Sequence, residues 1–217
     1  MVSRVLRHIF NTSVIKTIVF NFHYFPFIRA IRLPVLVARR TVFVKLSGSL
    51  YVERGCRVFI GYQIISIQDS KYSRTLWDVT GSVCFKGNAI IGKGSRLSIG
   101  GNLIVGNSFK ITGDSTIICS RLISIGNDAL LSWDCLVMDT DFHIINDCNG
   151  IRQNNDRPIT IGNHVWIACR NTVLKGTTIP DGSVLAAGSL IFNQLKKSNC
   201  IYGSNGIIIK NDIAWHH

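Results

Sequence analysis

The chain has 217 residues, 47% of them hydrophobic and 17% charged, with a formal net charge of +12. This is enough apolar material for one or two packed domains, and it excludes a globally disordered chain. Seven cysteines, an odd number with no CxxC and no zinc spacing, exclude a disulfide framework and fit reduced thiols in a cytoplasmic protein.

The positive charge belongs to the start of the chain. Residues 1–57 hold ten Lys/Arg against one acid, Glu53, whereas residues 58–217 hold fourteen against eleven. The same segment is apolar, VIKTIVFNFHYFPFIRAIRLPVLVARRTVFVKL. Two readings stand side by side: a helical cap whose apolar face packs on the rest of the protein, or peripheral contact with an anionic membrane surface. No nucleic-acid motif accompanies the charge. Lys16, His23 and Arg29 interrupt the run before the roughly 20 apolar residues a span needs. No small-residue cleavage site follows an apolar core, so a signal peptide is not expected. Pro26 and Pro34 predict two short helical pieces, or a helix and an extended piece, within residues 1–46.

From residue 47 the texture changes, and all 19 glycines lie at or after Gly48. Ile99, Val105, Ile111, Ile117 and Ile123 recur every six residues; after a phase shift of two, Ile125, Leu131 and Val137 do so again. The ladder resumes at Ile161 and runs through Ile167, Val173, Ile179 and Leu185 to Ile191. A helix would repeat near 3.6 and a half-buried strand at 2. A period of six fits short strands and tight turns wound into a parallel β-helix, three units making a coil of about 18 residues. Gly or Asn at the turns supplies positive φ. Slim residues at Val165, Thr177, Ser183 and Ser189 let neighbouring strands approach. Residues 50–90 are less regular and are read as distorted first coils, with DSKYSRTLWD as a loop. The fold class is therefore mainly β, a parallel β-helix over residues 47–212 with a short helical N-terminal segment.

Residues 138–158, MDTDFHIINDCNGIRQNNDRP, carry no ladder. Long polar excursions from a regular scaffold are often functional. This one opens on DTDFH, which makes His143 the candidate catalytic residue.

At these residues the chain resembles the hexapeptide-repeat acyltransferases, within them the maltose, galactoside and capsular-polysaccharide O-acetyltransferase branch. The motifs are ISIGNDALLSWDCLVMDTDFH, RPITIGNHVWIACRNTVLKGTTIPDGSVLAAGSLI and IYGSNGIIIK. The resemblance implies a left-handed coil, a homotrimer with active sites in the grooves between subunits, acetyl-CoA as donor and a carbohydrate acceptor. It also implies that His143 is the general base, taking the proton of a sugar hydroxyl as that oxygen attacks the thioester. The resemblance implies direct transfer, so none of the seven cysteines need act as nucleophile.

For the acceptor, Asp139 and Asp141 either orient His143 or a hydroxyl, or simply cap their own turn. Trp133, next to Asp134, either faces the acceptor groove or packs at a subunit contact. Thr112 and Ser120 fall where the sugar acetyltransferases carry Asn and Asp, so the acceptor need not be maltose or galactoside. For the donor, the resemblance assigns Trp166 to the pantetheine channel, with a packed tryptophan at the trimer seam as the other reading. Ala168, Cys169, Ala187 and Gly188 match its backbone-contact positions. Lys210, with Lys196 and Lys197 as alternates, is the candidate for the CoA phosphates. The usual Gly-x-Pro-Ala turn is replaced by Gly203-Ser204-Asn205-Gly206. His164 is read as a solvated turn residue. No metal is expected: a zinc lyase on this fold needs three convergent histidines, and the coil offers only His143 and His164. N-acetylation of an amino sugar and a non-catalytic β-helix scaffold are the alternative functions. The expected location is the cytoplasm, including the inner face of the membrane.

Overall fold

The structure, a computed structural model, describes residues 11–62 and 72–216. The first ten residues of the N-terminal segment, and 69–71 of the expected DSKYSRTLWD loop, lie outside the described residues. Among the described residues the strands form three sheets, of nine, seven and six strands. Successive strands pass from one sheet to the next in rotation as far as Leu190–Ile191, so the chain winds as a three-faced coil. The faces are called first, second and third here, beginning with Val35–Val37, Thr41–Lys45 and Ser49–Val52. Neighbouring strands are parallel, apart from Ile201–Tyr202 against Ile208–Lys210.

Every rung of the six-residue ladder points inward. Ile99, Val105, Ile111, Ile117, Ile123, Ile125, Leu131 and Val137 are at most 2% exposed, as are all six rungs from Ile161 to Ile191. The coil length differs from the expected 18. Ile111 pairs with Leu131 and Ile117 with Val137, a repeat of 20, whereas Trp166 pairs with Val184 and Val173 with Ile191, a repeat of 18. The phase shift is the cause. Upstream, the strands flanking the corner between second and third faces each bury two residues, as Ile117 with Cys119 and Ile123 with Ile125. Downstream, Thr172–Leu174 and Thr178–Ile179 bury one each. In these coils the two extra residues therefore enter at that corner.

The corner between third and first faces explains the recurrent Gly-Asn. Asn107 Oδ1 accepts from the Asn88 amide at 2.9 Å, Asn127 Oδ1 from Asn107 at 2.8 Å, Asn163 Oδ1 from Asn127 at 2.9 Å, and Asp181 Oδ1 from Asn163 at 2.7 Å. Each side chain satisfies a turn amide of the coil before it. The preceding glycine lets the turns stack: a Cβ on Gly126 would sit 2.6 Å from the backbone of Gly162.

The coil begins inside the segment read as N-terminal, since Val35–Val37 and Thr41–Lys45 pair with Val58–Tyr62 and Thr75–Val79. Register shifts at Phe43/Lys45 and Ile60/Tyr62 mark these first coils as irregular. Thr75–Val79 is a strand whose Trp77 is fully buried, so the end of DSKYSRTLWD is core rather than loop. Two helices precede the coil, α1 (Val14–Tyr24) and α2 (Phe27–Ala30). Ser13 caps α1, and Pro26 forces Phe25 into extended backbone and separates the two.

Candidate active site

The excursion leaves the coil between Leu136–Met138 on the second face and Ile159–Ile161 on the third. It opens at the corner that carries the two-residue variation. Its arms are tied down at three levels, and each tie uses a residue type that the sequence makes visible only in part.

Asp139 is completely buried. Its carboxylate accepts from the amides of Ser120 at 2.7 Å, Arg121 at 2.9 Å and Leu122 at 2.8 Å, which form the same corner one coil earlier. Three amides on one carboxylate make it a corner clamp. The expectation that Asp139 binds the acceptor is not what this geometry provides.

Asp141 is held by the Lys175 ammonium and by Asn154 Nδ2 at 2.9 Å. The hydrogen bond from Lys175, seconded by that from Asn154, lowers its pKa below the ordinary carboxylate value. Lys175 also donates to the Asn154 carbonyl at 3.0 Å. Asn154, itself buried, donates to the His143 carbonyl at 2.7 Å and accepts from the Ile145 amide at 2.8 Å. Asp141 thus positions the backbone of His143 through Asn154, and its carboxylate is not bonded to the imidazole. Sequence reasoning missed Lys175 and Asn154. The available signal was Lys175, the one lysine between residues 161 and 191, at a ladder corner. Gly176 beside it has φ +79°, and a Cβ there would lie 2.9 Å from Arg157 Cζ, where the returning arm of the loop crosses.

Between these ties the loop makes a tight hairpin. Asp147 Oδ1 accepts from the amides of Asn149 and Ile151, each at 2.9 Å, and the Gln153 amide donates to the Ile145 carbonyl at 2.8 Å. At the front, the His143 amide donates back to the Asp141 carbonyl at 2.7 Å across Phe142, whose φ is +61°. This is a three-residue turn with its central residue in the left-handed region, a costly backbone that persists only where its surroundings enforce it. It presents the His143 side chain to solvent. Phe142, Ile144, Ile145 and Ile151 around it are also exposed, at 58–66%.

The expected donor residues lie elsewhere on the chain. Trp166 is half-buried on the first face, its indole donating to Ser132 Oγ at 3.0 Å. Ala168 and Cys169, then Ala187 and Gly188, stack at the corner between first and second faces, joined by the Gly188 amide to the Cys169 carbonyl at 3.0 Å. Ala187 and Gly188 are exposed, and a Cβ on Gly188 would meet nothing within 4 Å. Trp133 occupies the same corner one coil earlier, its carbonyl accepting from the Arg170 amide at 3.0 Å. Lys210 is exposed on the last strand, while Lys197 is engaged by Asn211 and Asp212. The structure therefore brings Asp141 to His143, but sets Trp133, Ala168, Cys169, Ala187 and Gly188 at the opposite edge of the second face, with Trp166 and Lys210 on the first sheet.

His164 is not a solvated turn residue. Nδ1 lies 2.6 Å from Asp128 Oδ2 and Nε2 2.9 Å from the Trp215 carbonyl, and the ring stacks on Trp215 at 4.1 Å. Two acceptors facing both nitrogens favour the imidazolium, and the Asp128 bond chiefly raises its pKa. Burial pushes the thiols of Cys119 and Cys135 up, to about 12 and about 11, which removes them as nucleophiles. Among the described residues no group of three or more His, Cys, Asp or Glu converges to hold a metal ion.

No family model matches the chain. It is 31% identical to the galactoside O-acetyltransferase of Escherichia coli K12 over 101 residues, 45% of this chain and 48% of that protein. It is 28% identical to the polysialic acid O-acetyltransferase of Escherichia coli O1:K1 over 131 residues, 60% of this chain and 41% of that protein. The chain thus spans about half, or less, of the length of the first curated relatives it matches. The crystal structure of the polysialic-acid-specific acetyltransferase NeuO superposes with a TM-score of 0.58 at 21% identity, covering 85% of this chain and 79% of that one. That likeness shows the fold, a left-handed parallel β-helix. In sequence the chain is similar, over part of its length, to sugar O-acetyltransferases, and its fold is similar to that of NeuO.

Proposed function

We propose that the protein transfers an acetyl group from acetyl-CoA to a hydroxyl of a glycan or glycan precursor, with His143 as general base. The observation that carries this reading is the placement of His143. Its ring stands exposed on a strained turn, and its backbone is fixed by the Asp141–Lys175–Asn154 network. A positioned neutral imidazole can take the proton of a sugar hydroxyl as the oxygen attacks the thioester carbonyl. The C–S bond then breaks, and the imidazolium returns the proton to the departing CoA sulfur, leaving the O-acetyl sugar and free CoA. The curated relatives named O-acetyltransferases favour oxygen over nitrogen as the acceptor atom.

The donor candidates support a shared site. Small residues at Ala168, Cys169, Ala187 and Gly188 leave an open channel edge for the thin pantetheine arm, and Lys210 is free to meet CoA phosphates as a point charge. Because His143 and this edge lie on different corners of one chain, the reading requires a neighbouring subunit to join them, as in a cyclic homotrimer. The exposed apolar residues around His143 are suited to that contact.

Calorimetric titration of acetyl-CoA into the protein, alongside His143→Ala, tests the reading without knowledge of the acceptor. Saturable binding near one site per chain, retained in His143→Ala, is expected. No binding at millimolar donor would leave the scaffold alternative in its place.

A further inference from the structure

Helix α1 is built inside out. Its buried positions are Thr17, Phe20 and Asn21, and two of the three are polar. They face the edge strand Val35–Val37. Asn21 donates to the Val35 carbonyl at 2.7 Å and accepts from the Val35 amide at 3.1 Å; Thr17 Oγ1 accepts from the Val37 amide at 3.0 Å. The two side chains thus pair the free backbone groups of the coil's first strand as a further strand would, closing an edge that otherwise invites aggregation. Phe20 fills the end of the core against Trp77, ring centroids 5.2 Å apart.

This use of the polar side sends the apolar side outward. At about 100° per residue, Val14, Ile15, Ile18, Val19 and Phe22 fall on one continuous arc of roughly 140°, and each is 44–75% exposed. Phe22 meets Phe27 at 5.8 Å, which joins the arc to the exposed Phe27, Ile28 and Ile31 at α2. The expectation of a cap whose apolar face packs on the protein therefore fails at α1.

Cations flank this surface. A cavity of about 520 Å³ is lined by Lys16, Arg39, Arg40 and Arg74. A second, of about 590 Å³, is lined by Arg29, Arg32, Arg54 and Arg57 with a single acid, Glu53. Glu53 is already engaged by the Tyr51 hydroxyl at 3.0 Å and the Arg54 amide at 2.9 Å. Arg29 Nη2 is shielded and finds no hydrogen-bond acceptor among the described residues. A second copy docked symmetrically here would set the same cations against one another. The chemistry that satisfies both features at once is an apolar phase behind a layer of anions.

We propose that this end of the β-helix docks peripherally on an anionic membrane surface, with the α1–α2 apolar face at the acyl boundary and the two cation-lined cavities receiving lipid phosphates. Among the described residues no helix is long and apolar enough to cross a membrane, so the contact is one that lies on the surface. The inference does not depend on the transferase reading. For a membrane-held acceptor it would confine diffusion of enzyme and acceptor to one plane.

The test is sedimentation of the whole protein with phosphatidylcholine vesicles, with and without phosphatidylglycerol. The expected result is partition to the phosphatidylglycerol vesicles that weakens as salt is raised. The double variant Ile15→Asp/Val19→Asp should lower that partition at least about tenfold, because transfer of each aliphatic side chain out of water is worth about that factor. Arg32→Glu/Arg57→Glu should abolish the preference for phosphatidylglycerol. All four positions lie on the surface, and unchanged melting curves and acetyl-CoA titrations would confirm intact variants. Equal partition to both vesicle types, or undiminished partition of the aspartate pair, overturns the proposal. So does a larger assembly in vesicle-free solution that the aspartate pair dissociates, since a protein copy would then cover the face.

Discussion

Asp139→Ala separates two accounts of the loop entrance. In the structure Asp139 is fully buried and its carboxylate is the shared acceptor of three amides from the preceding coil. A hydrogen bond to a charged acceptor contributes about 1.5–3 kcal/mol, and the contributions from one acceptor do not add in full. Ser120 and Arg121 are exposed residues, so water can reach part of the vacated corner and offset some of the loss. A net cost of about 3 kcal/mol follows, a large share of the roughly 5–15 kcal/mol that holds a domain together. Urea unfolding should show the midpoint falling with an unchanged slope. Asp139→Asn should not recover the loss, because its Nδ2 donor would face an amide N–H that a carboxylate oxygen accepts from. If Asp139 instead binds the acceptor sugar, Asp139→Ala would raise the acceptor KM and leave the midpoint in place. A loss below about 1 kcal/mol would refute the clamp.

The other ties give further expectations. Lys175 and Asn154 hold the Asp141 carboxylate below its ordinary range. The bridge therefore contributes above the unfolded carboxylate pKa and is lost as pH falls through the lowered one. Lys175→Met should move that acid transition upward and speed proteolysis within residues 139–158 at neutral pH; equal cleavage rates would show that the bridge does not hold the loop. For His164 the sign is reversed. Its pKa is raised by Asp128, so its contribution is complete below the unfolded value of about 6.5 and is lost as pH rises through the folded one. Tryptophan fluorescence, assigned with Trp215→Phe, should titrate above that value, and Asp128→Asn should shift the titration down; an identical titration in Asp128→Asn would refute the His164–Asp128 pairing. If His143 and the donor edge meet across a subunit seam, co-assembly of His143→Ala with Gly188→Trp should recover about one quarter of wild-type transfer, the random fraction of seams with both halves intact. Absence of recovery would place both halves in one chain.

The six-residue period was legible because each face of the narrow core takes an aliphatic side chain six residues on from that of the face before, and every rung it named is buried. The coil length was not legible. A strand that buries two residues rather than one leaves the same local alternation, and only the pairing of Ile117 with Val137 exposes the longer repeat. Trp77 was hidden for a related reason: its neighbours Arg74 and Asp78 read as loop, although alternation puts only Thr75, Trp77 and Val79 in the core. The helix defeated the pattern altogether. Binary patterning assumes that apolar residues face the protein, and α1 spends its polar residues on a strand edge instead. His143 was legible from the motif it ends, whereas Lys175 and Asn154 were not, because their roles depend on a loop folding back over a corner, with partners 13, 21 and 34 residues apart in sequence.

These features converge on the corner between second and third faces. From Ala89 onward the first–second and third–first corners keep their length from coil to coil, through stacked turns and the Asn107–Asn127–Asn163 ladder, whereas in the first coils the first–second connection from Tyr62 to Thr75 is longer. The second–third corner closes with a spacer of variable length, two residues longer upstream than downstream. An insertion there costs little beyond loop closure, which grows slowly with length. The chain inserts its catalytic candidate at that corner, and then needs Asp139 to seal the coil above and Lys175 to anchor the loop from the coil below. His143 is consequently held from both sides by the regular scaffold while its ring remains clear of it. A longer or shorter excursion that keeps Asp139, Asp141 and Asn154 should therefore leave the imidazole in place, whereas a one-residue change at the Gly-Asn corner should unfold the coils that follow.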